Sequence, residues 1–230
     1  MKKAFILAAF AITLLGSILY AQAPKTQATP KKVRRPAVAG AFYPGNRLLL
    51  QRQVDGFLAK AKKVELEGKL IALISPHAGY IYSGPVAAYT YKQLTGRDFD
   101  TVILIGPSHR GGFAGASVYN QGPYQTPLGL IEVDSDLANK IIAQDKSIRY
   151  ISQAHNREHS LEVQLPFLQR TLKDFKIIPI LISEPSLKNC RILADAIFKS
   201  IKGKKVLIIA STDLSHYQPY KEACRLDKIT

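Results

Sequence analysis

Two of the five histidines in this 230-residue chain stand in matched surroundings. His77 lies in "ISPHAGYIYSGP", just past the apolar run "KLIALIS". His109 lies in "ILIGPSHRGG", at the end of the apolar run "DTVILIGP". The two are separated by about one strand–helix–strand unit. A third apolar run, "KKVLIIAST", leads into "DLSH" and delivers Asp213 and His216. If the three runs are parallel strands of one sheet, their ends share an edge, where open α/β sheets place ligands. Neutral imidazoles and carboxylates bind divalent transition metals, and two histidines with one carboxylate make a facial set suited to iron(II). The spacing therefore predicts a shared metal-binding site built from separate strands.

The other two histidines fall in "HNREHSLEVQLPFL". His155 and His159 are four apart, hence on one face if both are helical. The metalloprotease pattern HExxH is excluded, because Glu158 directly precedes the second histidine. Glu158 and His159 are expected to open a helix, where they could hydrogen-bond metal ligands or shuttle protons. His155 is expected on a surface loop.

Competing chemistries fit less well. Ser108, His109 and Asp213 could suggest a hydrolytic triad, but adjacent residues rarely aim at each other and no GxSxG elbow exists. "GPSHRGG", with Arg110, could cradle an anion, yet it lacks the Lys-Ser/Thr of a P-loop. The alternative to any chemistry is an interaction protein whose polar cluster is structural.

The elements that must position these residues alternate along the chain. "NRLLLQRQVDGFLAKAKKVE" has helical spacing, "KLIALIS" suits a strand buried on both faces, and "GPVAAYTYKQLTG" reads as a helix. "DTVILIGP" is the next strand. "GASVY" and "GLIEVD" read as short strands, paired as a hairpin across "NQGPYQTP". "SDLANKIIAQD", capped by Ser135, and "EHSLEVQLPFLQRTLKD", with one proline, read as helices. "FKIIPILI", "SLKNCRILADAIFKSI" and "KKVLIIAST" complete a strand–helix–strand series. This order predicts an α/β fold with a mostly parallel central sheet flanked by helices.

Composition sets the remaining bounds. The apolar share of 47% is that of a globular chain. The formal charge of +15 is inflated by residues 1–35, which hold seven basic side chains and no acid; the rest, with 25 basic and 17 acidic, is nearer +8. No nucleic-acid module or basic–aromatic interleaving is visible, so nucleic acid is not an expected partner, whereas a small-molecule ligand is. "MKK", an apolar run and "AQA" ending at Ala23 read as a signal peptide over residues 1–23, or as an uncleaved membrane anchor. Residues 24–34 read as a flexible basic linker and 35–230 as a single domain. An exported, periplasmic or secreted chain is expected, in which Cys190 and Cys224 could pair or remain free thiols. The helix-like sequence ending in "CRLDKIT" stops soon after the last strand, as expected of a domain lacking its C-terminal part.

"RRPAVAGAFYPG", "SPHAGYIYSG", "GPSHRG", "TPLG", "EHSLEVQLPFL" and "STDLSHY", in this order over Arg35 to Tyr217, resemble the Memo family, also called AmmeMemoRadiSam system protein B. That family is similar in fold to class III extradiol ring-cleaving dioxygenases. The resemblance implies a mononuclear iron or copper pocket, with His77 and His109 as ligands. It implies that Asp213 and His216 are the pocket's acid and base, and that Tyr82 borders it. The family's third ligand, a cysteine beside a glycine, lies well after "DLSH". Cys224 is too close to His216 and has no adjacent glycine, so the expectation is either that the ligand is missing from a fragment or that Asp213 or water fills its place. The implied activity is metal-dependent redox chemistry of dioxygenase type. The alternative is a non-enzymatic accessory protein with a radical-SAM system partner.

Overall fold

The apolar runs pair as a six-stranded sheet in the computed structural model, which describes residues 32–229. In chain order the sheet strands are β1 (Ala72–Ser75), β2 (Thr101–Pro107), β3 (Ala116–Val118), β6 (Ile148–Arg149), β7 (Lys176–Ile182) and β8 (Val206–Ser211). Their spatial order is β1-β8-β2-β7-β3-β6. All neighbours run parallel except β3 against β7. The mostly parallel α/β architecture is therefore the one expected.

Alternate residues of the central strands feed opposite layers, because successive side chains of a strand point to opposite faces. Val102 and Leu104 of β2 and Ile177 and Leu181 of β7 join the core under α1 (Arg47–Lys60), α2 (Tyr80–Lys92) and α5 (Leu165–Thr171). Ile103 of β2 and Ile178 and Ile180 of β7 meet α3 (Ser135–Ile142) and α6 (Leu187–Ser200) on the other face. Two-sided burial explains why these strands read as continuous apolar runs.

Several local expectations need correction. "GASVY" and "GLIEVD" do not form a hairpin. β3 is buried between β7 and β6, and the hairpin lies further on, between β4 (Tyr124–Thr126) and β5 (Gly129–Ile131). Asp134, not Ser135, caps α3, its carboxylate accepting from the Leu137 N–H. Glu158 and His159 do not open a helix. They lie in an irregular turn between the short helix α4 (Ser152–Asn156) and a 3₁₀ turn at Glu162–Gln164. Pro166 sits in the first turn of α5, where its missing N–H costs no hydrogen bond.

The signal-peptide or anchor segment and residues 24–31 of the linker lie outside the described residues. Among the described residues no helix is long and apolar enough to cross a membrane. Cys190 on α6 and Cys224 on α7 (Tyr220–Asp227) are both free thiols.

Candidate metal centre

Strand ends build the site. His77, Asp213 and His109 each lie two residues past the last residue of β1, β8 and β2, which are neighbours in that order. Parallel pairing brings all three to one edge. The fourth contributor, His159, comes from the turn before α5. One ligand atom each from His77, His109 and His159 lies within 4.8 Å of the others. His77 is buried, His159 half-buried and His109 the most open.

The close approach of that turn depends on Gly106. A Cβ there would lie 2.9 Å from Leu161 Cδ2 and 3.0 Å from Ser160 Oγ. Ser160 Oγ also donates to the Pro107 carbonyl at 2.9 Å, tying the turn to the end of β2.

Glu158 organises the open side. Its Oε2 accepts the His109 backbone N–H at 2.6 Å. Its Oε1 accepts the backbone N–H groups of His159 and Ser160, each at 2.9 Å, and faces His109 Nδ1 at 2.9 Å. Burial pushes the Glu158 carboxyl upward, but these donors outweigh it and hold the group below its ordinary value. An ionised carboxylate makes His109 Nδ1 the protonated nitrogen and leaves Nε2 with its lone pair free.

Ser211, the last residue of β8, does the same for His77. Its Oγ donates to the Ser160 carbonyl at 2.6 Å, accepts from Gln164 Nε2 at 2.8 Å and lies 3.1 Å from His77 Nδ1. With its one proton committed to the Ser160 carbonyl, the Ser211 hydroxyl accepts a hydrogen bond from His77 Nδ1–H, which leaves the Nε2 lone pair free. Burial lowers the His77 pKa, against the pull of Asp213. Burial likewise brings His159 down to about 4, overriding Glu158, with His109, His77 and Arg110 adding to the lowering. His77 and His159 are therefore neutral at ordinary pH, the form in which imidazole coordinates a metal.

Asp213 Oδ1 accepts the His77 backbone N–H at 2.6 Å. Its Oδ2 lies 3.3 Å from His216 Nε2 and 3.7 Å from His77 Nε2. The structure thus links His77, Asp213 and His216, with His216 at the exposed rim. Tyr82 stands exposed on the first turn of α2 and makes no hydrogen bond within the cluster.

His155, expected on the surface, is instead 1% exposed. Its Nε2 lies 2.9 Å from Ser117 Oγ and its Nδ1 3.2 Å from Tyr124 Oη. Sequence reasoning also missed Glu162, which is fully buried. It pairs with Arg34 and accepts from Tyr43 Oη at 2.6 Å, Ala37 N–H at 2.8 Å and Val38 N–H at 3.0 Å. These bonds strap "RRPAVAGAFYPG" over the site, where the Phe42 ring packs 4.7 Å from that of His159. The acid of "SLEVQLPFL", alone among apolar neighbours, was the available signal.

A tetrahedral or octahedral ion with bonds of about 2.1 Å needs donor atoms ~3–3.5 Å apart. The histidine separations allow this after modest closure, and His77 and His159 are preset as neutral rings. The residues present fit a first-row divalent ion.

Fold and cluster together define an α/β protein with a group of polar side chains at the C-terminal edge of its parallel strands. The chain belongs to the Memo family: the family model described as "Memo-like protein" matches residues 34–230. It is 36% identical over 201 residues to a MEMO1 family protein of Nitrosopumilus maritimus, covering 85% of this chain and 73% of the relative. A MEMO1 family protein of Pyrobaculum arsenaticum is 40% identical over 205 residues, with the same coverage. One of Aeropyrum pernix is 38% identical over 208 residues, covering 85% of this chain and 74% of the relative.

Proposed function

We propose that the chain binds one divalent transition-metal ion, iron or copper, through His77, His109 and His159, and uses it in redox chemistry of dioxygenase type. The convergence of three imidazole donor atoms within 4.8 Å carries this reading. Glu158 and Ser211 support it by orienting two of the rings. A bound ion of this class supplies a Lewis-acidic, redox-active centre. Asp213 holds the His77 loop by its backbone and faces His216, so a proton from a substrate hydroxyl has a route to the His216 ring at the rim. Phe42 covers His159 and limits water on that side.

Metal analysis of chain purified without chelator tests the site. About one equivalent of metal is expected, falling at least tenfold in His77→Ala, His109→Ala and His159→Ala. Equal metal in all four proteins overturns the reading. Oxygen uptake with catechols then separates an enzyme from an accessory protein serving a radical-SAM partner. From the leader-like residues 1–23 we further infer an exported location, which fractionation of the native host would check.

A further inference from the structure

A cleft of about 820 Å³ opens beside the metal centre, and every charged residue lining it is basic. Arg35 comes from the N-terminal strap and Lys32 from just before it, Arg110 from the loop carrying His109, and Arg157 from the turn carrying Glu158 and His159. All four are exposed, and among the described residues none pairs with a carboxylate. Arg34, which also lines the cleft, is different: it is buried and satisfied by Glu162 and by backbone carbonyls. Arg110 Nε donates to the Arg157 carbonyl at 3.2 Å, and among the described residues the other guanidinium nitrogens have no hydrogen-bond partner. Tyr119 and Tyr150, packed edge to face with ring centroids 5.6 Å apart, supply aromatic lining.

Like charges gathered from three separate segments repel one another, and among the described residues no carboxylate pairs with the four exposed ones. An anion would, and guanidinium groups grip carboxylate and phosphate oxygens in paired bonds. The volume matches that of pockets for small organic ligands.

We propose that this cleft binds a small organic anion, a carboxylate or phosphate monoester, and holds it against the metal centre as the substrate's charged end. The proposal rests on the metal-site reading for the chemistry but not for the binding. Arg110 directly follows His109, and Arg157 directly precedes Glu158. An anion gripped by both arginines is therefore held by the two segments that carry the open side of the histidine cluster.

Calorimetric titration at constant ionic strength tests it, with inorganic phosphate and phthalate as probes. Saturable one-to-one binding is expected. Arg35→Gln/Arg157→Gln is expected to weaken it at least tenfold while leaving metal content unchanged, since both side chains are exposed. Unsaturable binding by the parent chain, or equal affinity in the double variant, overturns the proposal. So does tighter, arginine-dependent binding of a short single-stranded oligonucleotide, which would make the cleft a nucleic-acid contact. Loss of metal in the histidine variants with phosphate binding retained separates the two sites. Phosphate binding by a parent chain that takes up no metal would sink the metal reading and leave the anion site standing.

Discussion

His77 Nδ1 lies 3.1 Å from Ser211 Oγ, and that hydroxyl already gives its proton to the Ser160 carbonyl. The serine is therefore an acceptor toward the ring, and the ring's other nitrogen is the one available for coordination. Groups that orient a metal-bound histidine typically contribute about 10–100-fold in affinity. Ser211→Ala should weaken metal binding by that factor, read by chelator competition with cobalt(II) as the spectroscopic probe. Ser211→Thr restores the hydroxyl and should recover most of the loss. Equal affinity in the alanine variant would mean that the serine leaves the ring's tautomer unset.

Glu158 acts on the other side of the cluster through both oxygens. Glu158→Gln replaces one acceptor oxygen by an amide that must face donors it cannot accept from. Metal affinity should fall at least tenfold, and stability should drop by roughly 1–3 kcal/mol from the unsatisfied N–H groups. Urea denaturation of the metal-free proteins isolates the second effect from the first.

Gly106 couples β2 to the turn bearing His159. Gly106→Ala puts a methyl 2.9 Å from Leu161 Cδ2 and 3.0 Å from Ser160 Oγ, so the turn must move outward. The expected cost is about 1–3 kcal/mol in stability, with weakened metal binding because His159 shifts with Ser160. Unchanged metal affinity in a folded variant would show that His159 is not needed in its present position.

The strand-end logic is legible in the sequence because it is local: an apolar run followed within a few residues by a histidine or aspartate. His77, His109 and Asp213 follow from it. The sequence marks His159 as a polar residue near the site but not as a member of the cluster, because its place depends on a turn held by Glu158, Ser160 and Gly106. The burial of His155 is hidden from the sequence for the same reason. Its burial is tolerated only because Ser117 and Tyr124, distant in sequence, satisfy both ring nitrogens. The displaced hairpin has a similar origin, since β3 takes its partners from β6 and β7 rather than from the turn beside it.

The strap over the site depends on a buried charge pair. Removing one member of such a pair leaves an uncompensated charge and typically costs about 3–5 kcal/mol. Glu162→Ala strands the Arg34 guanidinium and also frees Tyr43 Oη and the Ala37 and Val38 N–H groups. It should destabilise the domain by that amount. Limited proteolysis should cut the variant first between residues 34 and 45; cleavage at the parent's sites and rates would show that the strap is held by other contacts.

His155 should make the fold acid-sensitive. Burial, helped by the nearby Arg34 charge, pushes its pKa down to about 3, against an ordinary value of 6.5. Between those values the unfolded chain takes up a proton that the folded chain refuses. The contribution is therefore fully present above about pH 6.5 and is lost as pH falls toward 3, at roughly 1.4 kcal/mol per pH unit within the window. Carboxylates add their own acid dependence, so the informative quantity is the difference from His155→Gln, which lacks the titrating ring. That variant is less stable at pH 7, where it loses the contacts to Ser117 and Tyr124. Its stability should nevertheless fall less steeply between pH 6.5 and 4.5 in denaturant titrations, and parallel slopes for the two proteins would place the proton uptake elsewhere.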